Sequence, residues 1–168
     1  MSQVKNKVEW CLRKAEKELK EGGRHRGLVK LKPDMEKAED YISKAERYLR
    51  ATEWLKKGNL PDVSTGTVFY CMYHCLQAIA AKHGYESRNQ ECTFALIYSL
   101  IEEGKIDFGK EVLERIAALE PKDDESTSVK IREKYQYGTE FDVKEDLYKG
   151  LVQLAKEVIA KTKEIIKE

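Results

Sequence analysis

The stretch "TGTVFYCMYHCLQAIAAKHGY", residues 65–85, decides the fold. Between Val68 and Ile79 almost every position is apolar, aromatic or cysteine, so no polar stripe recurs at helical spacing. A helix that is apolar all round is a central helix, covered by neighbours on every side. Phe69, Cys71, Met72 and Cys75 are therefore expected to fill space. Two sharper readings compete. Cys71, His74 and Cys75 fall at i, i+3 and i+4 and share one face, as ligands of a metal-binding regulator would, with Cys92 or His83 as a fourth. A nucleophilic cysteine would need an electropositive, partly exposed setting, which a core helix does not supply. Packing is the reading taken, and no metal or other cofactor is expected.

The flanking sequence is helical as well. Val4, Val8, Cys11, Leu12, Ala15 and Leu19 make one stripe, stopped by Gly22-Gly23. A basic loop follows, "GGRHRGLVKLKP". A second helix is expected from Asp34, with Ala38, Tyr41, Ile42, Ala45, Tyr48 and Leu49 on its buried face and Gly58-Asn59 as its stop. A fourth should open at Ser87, with Ser87 and Gln90 as a capping box, and end at Gly104. A fifth spans about 107–119, and "PKDDESTSVK" reads as a polar surface loop. The last helix is expected from Asp142, with Glu145 completing a second capping box. No stretch reads as a strand. The fold class is therefore all-α: one domain over 1–168, a bundle of five to six helices, with residues 1–33 as an N-terminal extension.

Bulk properties exclude several roles. Lys and Arg total 31 against 30 Asp and Glu, so a net charge of +1 gives no global pull toward nucleic acid or anionic lipid. No apolar run reaches membrane-spanning length, and no signal peptide opens the chain. A cytoplasmic, reducing location with free thiols is expected for Cys11, Cys71, Cys75 and Cys92.

"VSTGTVFYCMYHCLQAIAAKHGYESRN", followed much later by "REKYQY" and a long terminal helix, resembles a HEPN domain over about residues 34–168. Phe69 to His74 match the aromatic half of that family's signature helix, while Gly66 and Thr67 stand where Ser and Arg are expected. Many HEPN proteins are ribonucleases whose motif is an Arg, four to six residues, then a His, working across a dimer cleft. Here Arg132 matches the Arg, and Tyr137 stands where the His belongs. None of the three His lies downstream of Arg132. Histidine titrates near neutrality and can move protons, whereas tyrosine, with a pKa near ~10, is a poor base there. Arg132 can grip a phosphate but cannot act as a base.

The resemblance thus implies a homodimer that binds RNA or a nucleotide, similar to the toxin or partner subunit of a minimal nucleotidyltransferase pair, with degenerate or weak ribonuclease activity. Arg132 would hold phosphate, Tyr137 would orient it, and His74 would be the proton carrier. Tyr70 and Tyr73 are the expected ligand contacts, joined by Arg88 and Asn89 at a helix N-terminus that attracts anions. The alternatives are a non-catalytic helical interaction module and the Cys/His metal-binding regulator.

Overall fold

The computed structural model of the chain describes residues 2–117 and 127–168. Among them lie seven helices, α1 (Gln3–Lys20), α2 (Met35–Lys57), α3 (Pro61–Lys82), α4 (Gln90–Glu102), α5 (Lys110–Ile116), α6 (Ser128–Tyr137) and α7 (Glu145–Lys167), and two short strands, β1 (Leu28–Lys30) and β2 (Tyr85–Ser87).

α3 is the axis. Pro61 sits in its first turn, where a missing N–H costs nothing, and 13 of its 22 residues are buried. α2 and α3 form an antiparallel hairpin, with Asn59 at positive φ in the tight connection. α7 lies across both, its first turn tied to the end of α2 by Lys56–Glu145 and its last turn tied to α3 by Lys82 on the Ile165 carbonyl. α4 and α6 cover the remaining sides of α3. The core joins Phe69, Met72, Leu76 and Ile79 of α3 to Leu96 and Ile97 of α4, Leu113 of α5 and Leu154 and Val158 of α7. Packing, not periodicity, therefore fixes α3 as a helix.

The structure corrects several expectations. Strands do occur: β1 pairs antiparallel with β2, Val29 opposite Glu86. Each strand is three residues long, too short to show alternation. The N-cap of α4 is Asn89, whose side chain accepts from the Cys92 N–H, while the Ser87 hydroxyl bonds the Asn89 carbonyl instead. α7 begins at Glu145 after Lys144, with no side-chain cap, so the box at Asp142 does not form. α5 starts at Lys110 after Gly109; the expected end at Leu119 and the greater part of the polar loop lie outside the described residues. Ser128 to Lys130, read as the end of that loop, form the first turn of α6.

Two of the four thiols are not free. Cys11 of α1 and Cys92 of α4 form a disulfide that joins the N-terminal extension to the bundle. Expecting reduced thiols says nothing about which sulfurs the fold brings together, and α1 sets Cys11 against the first turn of α4. The extension is fastened further by the β1–β2 pair and by buried His25, whose Nε2 meets the Glu86 carboxylate at 2.7 Å. The backbone approaches closely here: a Cβ on Gly27 would lie 2.4 Å from the Cys11 carbonyl oxygen. The basic loop is thus partly folded structure. Among the described residues no helix is long and apolar enough to cross a membrane.

Candidate functional site

α6 positions the central group. Thr127 caps it by accepting from the Lys130 N–H, and its inner face presents Ile131, Arg132 and Tyr135 to α3. Arg132 is only 7 % exposed. Its Nη1 donates to Gln136 Oε1 at 3.0 Å, one turn on, and its Nε–H has no hydrogen-bond partner. The guanidinium carbon lies 4.6 Å from the centre of the Phe69 ring and 5.8 Å from that of Tyr70. Arg132 forms no ion pair with any described carboxylate. A desolvated cation normally needs a counter-charge. Here two aromatic faces and one neutral amide stand in its place.

Tyr70 is half-buried and passes the aromatic surface on. Its ring packs at 6.3 Å on Tyr48 and at 6.5 Å on Tyr73. Tyr73 continues to Phe94 of α4 at 6.3 Å. A band of partly exposed rings thus leads away from the buried guanidinium. The Tyr73 hydroxyl accepts from Gln77 Nε2 at 2.9 Å and pairs with the Thr93 hydroxyl at 3.1 Å, and burial holds its pKa above the usual tyrosine value.

His74 lies on the α2 side of this band. Its ring meets Tyr48 edge-on at 4.9 Å and stacks on Tyr41 at 6.1 Å. Its Nδ1 is buried without a partner. Burial, helped by the nearby Lys44, lowers its pKa from 6.5 to about 4. The imidazole is therefore neutral at pH 7 and a weak proton acceptor.

The other predicted residues fall elsewhere. Tyr137 is 77 % exposed at the end of α6. Five helical residues turn the chain about 140° past Arg132, so the two side chains point apart. The residue that does reach Arg132 is Gln136, which sequence reasoning missed; its signal was the Arg-to-Gln spacing of four. Asn89 commits its side chain to the α4 cap, and Arg88 pairs with Glu86 at 3.2 Å. Glu86, held below the usual carboxylate range first by the His25 hydrogen bond, puts a negative charge where an anion would approach. Cys71 and Cys75 are buried; desolvation raises Cys71 to about 12 and Cys75 further still, so both stay thiols. Cys92 is in the disulfide. Among the described residues no three or more His, Cys, Asp or Glu side chains converge in a way that could hold a metal ion.

The described residues form a helical bundle around a central aromatic helix, faced by an arginine of the penultimate helix. The family model described as HEPN domain matches residues 38–166, and the chain belongs to that family. Membership supports a nucleotide- or RNA-related function at the level of the family, whose domains often dimerise and bind RNA. No curated protein matches the chain. α1, β1 and the first turn of α2 precede the matched region.

Proposed function

We propose that this HEPN chain binds RNA or a nucleotide through a phosphate held by Arg132, and that any ribonuclease turnover is weak or absent. The observation that carries the reading is a guanidinium 7 % exposed, with an unpaired Nε–H and no ion pair to a described carboxylate. Nε–H and an Nη lie in one plane and fit two phosphate oxygens. Phe69 and Tyr70 tune that cation without neutralising it. Weak turnover follows from the proton inventory. No histidine follows Arg132 in the sequence, Tyr137 points away, and His74 titrates near about 4. Metal-free cleavage needs groups that give and take protons near neutral pH.

The wider reading is a homodimer acting as the toxin-type or partner subunit of a minimal nucleotidyltransferase pair. Exposed Trp54, Leu60, Val63 and Phe141 support a protein contact. The first three lie where α2 ends and α3 begins, and Phe141 lies just before α7, exposed apolar side chains of the kind that subunits cover.

The test is fluorescence anisotropy of labelled single-stranded RNA with the protein and with Arg132→Gln, beside a cleavage assay on the same RNA. Binding weakened at least about tenfold by the substitution, with little or no cleavage, is expected. Equal binding by both proteins refutes the site. Fast cleavage that vanishes in the variant refutes the degenerate-nuclease reading.

A further inference from the structure

Trp10 stands 46 % exposed on α1, outside the family-matched region, on a helix whose outer side is mostly charged but also exposes Leu19. It borders a surface groove of about 460 Å³, lined by Trp10, Arg13, Lys14, Lys17, Glu18 and Glu21. The ammonium of Lys14 lies 5.3 Å from the indole centre on the groove, and that of Lys7, nearer at 4.4 Å, also pairs with Glu91 of α4 at 3.0 Å. The Arg13 side chain makes no hydrogen bond or ion pair with any described residue. The two carboxylates are engaged, Glu18 by the Arg26 N–H and Glu21 by Lys17. Exposed Arg24 and Arg26 extend the basic side just past the helix. Cys11, next to Trp10, is locked to Cys92, so the indole sits on a fixed platform.

We infer that this face of α1 is a second nucleic-acid contact: a base of a single-stranded polynucleotide stacks on Trp10, and its phosphates lie on Arg13, Lys14 and Lys17. Aromatic stacking beside flexible cations is how single strands are held without sequence preference. An apolar peptide would leave Arg13 and Lys14 without counter-charges, and a duplex offers no free base face to the indole. The contact lies on α1 and Arg132 on α6, so the two are tested separately.

The experiment places Trp54→Phe in the full-length chain, leaving Trp10 as the only indole, and titrates it with a 12-mer of uridylate, a 12-mer of thymidylate and UMP. Saturable quenching by both 12-mers is expected. In anisotropy, Trp10→Ala binds the 12-mers about tenfold or more weakly, while Trp10→Phe stays within about threefold. Three phosphate contacts predict a log–log salt slope of about −2, and Arg13→Gln with Lys17→Gln brings it toward about −0.7. Adding Arg132→Gln leaves the quenching in place, so this contact and the Arg132 site succeed or fail independently. No quenching by either oligomer, or unchanged affinity in Trp10→Ala, overturns the inference. Equal quenching by UMP at the same molarity overturns the polynucleotide in favour of a free nucleotide.

Discussion

Replacing Arg132 with methionine should leave the protein as stable as before, or more so, while removing its ligand binding. Methionine keeps the length of the stem that packs on α3. The substitution loses the bond to Gln136, about 1 kcal/mol for a partner on an exposed residue, and the attraction to Phe69, about 1–2 kcal/mol. Against this, it removes a buried donor with no partner, which costs about 1–3 kcal/mol, and the desolvation of an unneutralised charge, which costs several kcal/mol more. The balance favours methionine by at least about 1 kcal/mol. For a chain of this length each kcal/mol moves Tm by about 2–4 °C. Urea unfolding with a matched thermal scan reads both quantities. The same scan with saturating nucleotide should raise the Tm of the natural protein only, since a ligand at 100 times its Kd adds about 2.7 kcal/mol. A loss of about 3 kcal/mol or more in Arg132→Met, the usual result of breaking a buried pair, would show that Arg132 holds the fold and would refute the reasoning.

Other outcomes follow from the same geometry. His74 has a folded pKa below its unfolded value, so between about 4 and 6.5 the unfolded chain takes up a proton that the folded chain refuses. Its contribution to stability is complete above pH 6.5 and falls as pH drops toward about 4; His74→Gln should flatten that part of the difference in urea midpoints between pH 7 and pH 4.5. Cys71 and Cys75 should resist a thiol reagent at pH 8 until the protein unfolds, and then react as two thiols per chain under non-reducing conditions, which mass spectrometry can count. Asn89→Ala removes the cap of α4 and should cost about 1 kcal/mol in urea unfolding, with RNA affinity unchanged.

The helical frame could be read from the sequence where the signals were local. Asp34 caps α2, Gly58 stops it, and the all-round apolar run from Val68 to Ile79 marks the central helix. α6 carries no such signal, because its buried face is Ile131, Arg132 and Tyr135, and a cation in the middle of a buried face erases the apolar stripe. The cap of α4 is Asn89, two positions past the Ser87 that the sequence reading expects. Tertiary contacts chose between them, since the Ser87 hydroxyl is taken by Asn89 and Thr93. The Cys11–Cys92 bridge spans 81 residues and leaves no local trace. At the site, Arg132 was legible only through its resemblance to a family motif. That resemblance also carried Tyr137 along, although five residues of helix turn it to solvent.

The orphan Nε–H of Arg132 is the atom that phosphate is expected to reach. Its resonance in a nitrogen-15 correlation spectrum, assigned by its loss in Arg132→Gln, can be followed during titration with a short single-stranded RNA. A saturable downfield shift that tracks the binding curve is predicted. A resonance that stays in place while RNA binds elsewhere would contradict the phosphate-binding role of Arg132.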